Sequence, residues 1–386
     1  MTGLRLGVDS TVDVADAVSA LREAGATVVD TTDVDQFAAV AAGDADIAIV
    51  TTAVQGAVGI TPTVGVIGTG ETAAGDFASD VTLLASTVDL ADAAMAVLAA
   101  GARSRPWPAD TRLAAPPTPV VAIPDELPHL DQQSRADFDA AVDAFMRTGV
   151  RIITVAIAPF LAAADVPRVG TQAVAPMNVM GEADALLLPT ATVHLETYTS
   201  FDMCGVAVPA RTAGEAQFGV TVLARAFDDA VALDIAARLA ADPAPTHAWP
   251  LAAAEYTELV VFGAHLRGGP LAHQLTDRGA RFAGEITTAP RYRMTALPTV
   301  PPKPGVTRVA DGAGGAALTG HRWLMSPAAL GRFLAELPAP MQLGKVEFAD
   351  GTWRTAFGCD GSVEGVDVSH YGSWPAALAA GAVPQT

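Results

Sequence analysis

The stretch FGAHLRGGPLAHQ, residues 262–274, sets two histidines, His265 and His273, around a glycine-rich turn. Histidine titrates nearest neutrality, so either ring suits general acid or base work. A lone histidine is more often structural, but two beside an arginine-rich loop bring the readings near to even. Gly263, Gly268 and Gly269 permit close backbone approach, and N–H groups of such a turn, from Ala264 to Leu266, are suited to an oxyanion. Residues 262–293 also carry Arg267, Arg278, Arg281, Arg291 and Arg293 against only Asp277 and Glu285. Arginine forks match small carboxylates, so an anion pocket competes here with a solvated polar face. Tyr292 is a second proton donor, or equally a strand residue packing outward. The expected site is therefore catalytic His265 and Tyr292, with Gly263, Ala264, Leu266, Arg267, Gly268, His273, Arg278, Arg281 and Arg291 binding an anion.

The elements that must position these residues come in two textures. Up to about residue 240, apolar runs alternate with helical spacing. LRLGV, ATVVD, ADIAIV, TVGVIG, VRIITVAI, ADALLLPTA and FGVTVLARAF read as strands, and 13–24, 89–101 and 228–243 as helices. A Pro-rich stretch, 106–124, reads as a surface connection, and ADPAPTHAWPLAAA (241–254) as an interdomain linker. Beyond it, ELVVFGAHL, GARFAGEI, RYRMTAL, HRWLMS and KVEFADGTWRTAFGC are short strands between Gly and Pro turns, with one clear helix at 327–337. The domains expected are 1–245, an α/β layer structure, and 255–386, a small β-rich α+β domain.

The chain has 386 residues, 51% of them apolar and 17% charged, so it holds enough core for two domains. A net charge of −19 argues against nucleic acid or anionic membrane as partners. No apolar run approaches the ~18 residues of a membrane span, and the N-terminus lacks a signal-peptide pattern. Cys204 and Cys359 are the only cysteines and are expected as buried free thiols in a cytoplasmic protein. His129, His194, His247, His321 and His370 lack ligand spacing, so neither a metal nor a cofactor is expected.

Three N-terminal stretches, GVDSTVDVAD (7–16), residues 24–52 and GITPTVGVIG (59–68), resemble amidase-signature enzymes. The resemblance implies a Ser–cis-Ser–Lys triad, yet Asp9 stands at the lysine position. No two serines are adjacent anywhere, TTAVQGAVG (51–59) has no serine, and Lys303 and Lys345 are the only lysines. An activated hydroxyl needs its base, so this half looks like an amidase shell without its active site. Residues 262–298, 303–309 and 327–351 are similar to the C-terminal domain of allophanate hydrolase, related in fold to γ-glutamylcyclotransferases. ADALLLPTA, FDMCGVAVPA and FGVTVLARAFDDA resemble the end of that family's amidase domain. The resemblance implies urea or amide nitrogen metabolism and a small carboxylate or carbamate-like ligand that loses CO2, with His265 or Tyr292 supplying a proton. Glu336 falls near the γ-glutamylcyclotransferase glutamate but reads as an ordinary helix-surface residue. The competing expectation is a catalytically inactive pseudoenzyme acting as subunit or scaffold for a complete amidase or carboxylase; the partners expected are a second copy of the chain or such an enzyme.

Overall fold

The computed structural model describes residues 2–8, 15–29, 39–40, 42–50, 57–67, 82–101, 105–127, 130–158, 160, 179–192, 201–210, 218–240, 248–310, 312–362 and 364–383. Asp9, most of 51–59, and His129, His194 and His247 lie outside them. The chain divides into two compact units, 1–111 with 115–254, and 112–114 with 255–386.

The first unit carries strands β1 (Arg5–Val8), β2 (Thr27–Val28), β3 (Ile47–Val50), β4 (Val58–Thr61), β5 (Thr82–Ala85), β6 (Val120–Pro124), β7 (Arg151–Val155), β8 (Ala185–Pro189), β9 (Met203–Ala210) and β10 (Phe218–Arg225). They form one mixed sheet in the order β2-β1-β3-β5-β4-β9-β10-β8-β6-β7. Its longest pairing is the antiparallel β9–β10 pair, in unbroken register from Met203↔Arg225 to Ala210↔Phe218. Most residues of both strands are buried, as continuous apolar runs covered on both faces should be. Helices α1 (Ala15–Glu23), α2 (Val88–Ala99), α3 (Gln132–Met146) and α4 (Asp229–Leu239) belong to the same unit. Gly25, at φ +100°, ends α1 with the left-handed residue that a helix stop favours. This mixed α/β unit matches the class expected from the alternating pattern.

Three local expectations are corrected. TVGVIG was expected as a strand, but the strand is β4, and residues 64–67 turn. The Pro-rich stretch 106–124 contains β6, paired in parallel with both β7 and β8. Residues 248–254 are not an open linker: Trp249 is fully buried in a short 3₁₀ turn. The Asp92 carboxylate accepts from the N–H groups of Ala248 (2.7 Å) and Trp249 (2.5 Å), so the turn is tied down by α2.

The start of α4 is fixed by a buried carboxylate. Asp229 accepts from the Thr63 N–H (2.8 Å) and from its hydroxyl (2.6 Å), and the Thr63 hydroxyl oxygen accepts from the Phe227 N–H (2.7 Å). Burial pushes the Asp229 carboxyl up to about 6, although the Thr63 donors pull the other way. Between about pH 4 and 6 the folded state therefore holds a proton that the unfolded chain has released. The associated stability is complete below the unfolded value of 3.8 and is lost as pH rises through about 6. Its size is on the order of 3 kcal/mol. Asp229→Asn should flatten that decline, so urea denaturation at pH 4.5 and 7 should give a wild-type-minus-variant difference that changes with pH. A difference independent of pH would contradict the assignment.

The second unit has strands β11 (Thr257–Val261), β12 (Arg281–Thr287), β13 (Tyr292–Leu297), β14 (Lys303–Arg308), β15 (Thr319–Met325), β16 (Met341–Glu347), β17 (Trp353–Cys359) and β18 (Val366–Asp367). A five-stranded sheet runs β12-β15-β11-β17-β16, and a three-stranded one β14-β13-β18. Its helices are α5 (His273–Thr276), α6 (Pro327–Ala335) and α7 (Trp374–Ala379). Ser326 caps α6 by accepting from the Ala329 N–H, with Pro327 at the first helical position. Residues 112–114 belong here because the Leu113 N–H donates to Gly279 O (2.8 Å). Among the described residues no helix is long and apolar enough to cross a membrane.

Candidate functional site

Strand β11 is central, antiparallel to β15 and parallel to β17. The chain leaves its buried end into the turn that begins at Gly263. A cavity of about 190 Å³ opens there, walled by Gly263, Ala264 and His265 of the turn, Gln274 of α5, Lys303 and Pro304 of β14, and Phe333 and Glu336 at the end of α6. It is smaller than the ~300–1,000 Å³ of pockets for drug-sized ligands, a scale that suits a metabolite of a few heavy atoms.

His265 is 7% exposed. Its ring stacks on Phe357 (5.1 Å between centroids, 22°) and meets Phe333 edge-on (5.3 Å, 87°). Nε2 lies 2.8 Å from Gln274 Oε1. With the Gln274 oxygen accepting, Nε2 carries the proton and Nδ1 is the basic nitrogen. Burial lowers the His265 pKa below its ordinary value, as do the neighbouring charges of Lys303 and His273, while the Gln274 bond opposes them. The free protein thus holds a neutral imidazole in the cavity wall at neutral pH.

The other residues expected at the site divide. The glycine-rich turn uses half of its own N–H groups: Leu266 donates to Gly263 O, Gly269 to Leu266 O, Leu271 to Ala264 O, and Arg267 to His321 Nδ1. Those of Gly263, Ala264, His265 and Gly268 make no hydrogen bond among the described residues, and Gly263, Ala264 and His265 line the cavity. Leu266 is buried and Gly268 exposed, and neither lines the cavity. His273 is exposed at the start of α5, outside the cavity wall.

Four of the arginines and the tyrosine are placed elsewhere. The exposed Arg267 guanidinium lies over the Phe282 ring, 4.9 Å from its centroid. Arg278 is a brace, donating to Gln274 O (2.6 Å) and to Glu336 Oε2 (2.5 Å). Arg281 donates from Nε to Leu113 O (2.7 Å). Arg291 is exposed and does not line the cavity. Tyr292 is 2% exposed, and its hydroxyl oxygen accepts from the Glu347 N–H (2.7 Å), so it packs inward rather than facing the cavity or solvent. The polar side chains of the cavity wall are thus His265, Gln274, Lys303 and Glu336, and no arginine lines it.

Sequence reasoning passed over Gln274 and Lys303 and read Glu336 as surface. The last is half right: its side chain is 68% exposed, yet it stands on the rim and pairs with Arg278. Gly263 serves a different purpose from the one expected. A Cβ there would lie 2.2 Å from Pro304 Cδ, so the missing side chain admits the Pro304 ring. Cys204 and Cys359 are buried free thiols. Among the described residues no group of three or more His, Cys, Asp or Glu is arranged to hold a metal.

Residues 257–379 match the family model of the allophanate hydrolase C-terminal domain. The chain is 30% identical over 210 residues to a urea amidolyase of Lachancea kluyveri, covering 46% of this chain and 11% of that protein. It is 34% identical over 125 residues to a urea amidolyase of Saccharomyces cerevisiae, covering 31% and 7%. The chain thus spans only about a tenth of the curated relatives it matches. Among solved structures, it matches urea amidolyase from K. lactis with a TM-score of 0.79 at 20% identity, over 98% of this chain and 33% of that one. It matches allophanate hydrolase from Kluyveromyces lactis with a TM-score of 0.77 at 19% identity, over 98% and 88%. Residues 257–379 thus match the allophanate hydrolase C-terminal domain, and the mixed α/β chain as a whole shares the fold of the allophanate hydrolase structure.

Proposed function

We propose that the second unit binds a small N-carboxylated, carbamate-like anion in the His265 cavity and promotes its loss of CO2, within urea or amide nitrogen metabolism. The observation that carries this reading is the buried, neutral His265 in a small cavity of the domain that matches allophanate hydrolase. Loss of CO2 breaks an N–C bond and leaves the electron pair on nitrogen, which must take up a proton. An anion bound beside His265 raises the proton affinity of the ring. Substrate would thus arrive with the proton it needs, held on His265 and passed to nitrogen as the bond breaks. The Ala264 and His265 N–H groups would hold a carboxylate oxygen meanwhile. Glu336, neutralised by Arg278, leaves the cavity without net negative charge. The decay of such an N-carboxylated compound with and without the protein tests the reading.

The first unit, on this proposal, does not perform amidase chemistry. Asp9 replaces the triad lysine, and no serine pair exists to relay a proton. The N-carboxylated compound would then come from a separate amidase. A fluorophosphonate probe should leave residues 1–250 unlabelled, and allophanate should yield no ammonia by the amidase route. Serine labelling there together with turnover would overturn this part. A scaffold without turnover is the second reading, favoured by the same missing triad.

A further inference from the structure

We propose that Lys303 is the carboxylate anchor that sets the specificity of this cavity, selecting small ligands with a free carboxylate over their neutral amides. The inference rests on the cavity being the ligand site, as just proposed, and adds which group recognises the ligand and by what chemistry. Lys303 opens β14 next to Pro304, whose ring packs against Gly263, and this places it on the cavity wall. Its ammonium has no hydrogen-bond or ion-pair partner among the described residues. The arginines of the same unit contrast with it. Arg278 pairs with Glu336, Arg293 with Asp367, and Arg322 and Arg354 share Glu258. The chain has 42 acidic residues against 23 basic ones, so a half-buried lysine left unmatched beside a cavity is the exception.

The fixed charges of the wall point the same way. Glu336 is balanced by Arg278, so Lys303 leaves one net positive charge facing the space. That charge already reaches the His265 ring, where it favours the neutral form. A carboxylate seated on the ammonium would cancel this influence and bring its neighbouring nitrogen or carbon toward His265. The amide of the same skeleton offers no charge for Lys303 and gains only neutral hydrogen bonds, which are weaker.

The test is calorimetric titration of the full chain with malonate and with malonamide, on wild type, Lys303→Met and Lys303→Arg. Wild type should bind malonate at least about tenfold more tightly than malonamide. Lys303→Met should erase that preference, and Lys303→Arg should keep most of it. Proton NMR titration of His265 should show its pKa rising in Lys303→Met, which checks that the ammonium faces the cavity beside the ring. Thermal melting checks the folding of each variant, and the wild-type malonate preference stands whatever Lys303→Met does. If Lys303→Met binds malonate as well as wild type does, the anchor is wrong while the cavity remains the ligand site. Equal binding of malonate and malonamide by wild type overturns the anchor as well. If wild type binds neither and leaves N-carboxylated carbamate decay unchanged, the anchor and the functional reading fall together.

Discussion

Replacing His265 with glutamine is expected to lower CO2 release from an N-carboxylated carbamate by about 10²–10⁴-fold, the usual worth of a positioned proton donor or acceptor. Affinity for malonate should change far less, because proton transfer matters mainly in the transition state. Glutamine fills much of the ring's place between Phe333 and Phe357 and can still bond Gln274, but it cannot titrate. Alanine would open a hole beside two phenylalanines and mix a packing cost with the chemical one. The pH profile supplies an independent readout. Burial and the Lys303 charge hold the free His265 below its ordinary 6.5, so the kcat/KM profile of wild type should bend below that value. In His265→Gln the bend should vanish. A variant that keeps both rate and bend would place the proton transfer on another group.

Gly263→Ala should be the most damaging small substitution in the second unit. The added Cβ would sit 2.2 Å from Pro304 Cδ and 2.4 Å from Cγ, contacts that atoms do not tolerate. Proline cannot rotate its ring away, so either the turn or β14 must move. Overpacking of this kind costs about 1–3 kcal/mol, and the movement falls on Lys303 and His265 together. Loss of malonate binding should therefore exceed what the fall in stability alone explains. Gly268→Ala is the matched control: its φ of +79° makes the change strained, but nothing lies near the added atom. It should cost about 1 kcal/mol and leave binding intact. Urea denaturation and calorimetry on both variants check the contrast, and equal binding losses would contradict it.

Most strands and helices were legible because their signals are local. The eight-residue runs of β9 and β10 are apolar along most of their length, and Gly25 and Ser326 mark a helix end and start. β6 was missed because prolines surround it, and a strand bounded by Pro reads as a connection. Trp249 was missed because its holding group, Asp92, is 157 positions away. The arginines show the same limit. A charge count over 262–293 sees five arginines and two acids, but Glu336 and Asp367 lie outside that window and take Arg278 and Arg293. Lys303 did carry a signal, as one of only two lysines and next to a proline. Its meeting with Gly263 depends on how β14 packs in the folded unit, which no local pattern encodes. His265 stands out in the sequence because the turn that holds it is contiguous.

The central claim is that the His265 cavity accelerates the loss of CO2 from an N-carboxylated carbamate. The most direct measurement delivers that compound in situ, from an intact amidase acting on allophanate, and follows CO2 release with and without this protein at equal consumption of allophanate. The account predicts faster release in its presence, returning to the uncatalysed rate with His265→Gln. An unchanged rate with wild-type protein would contradict it.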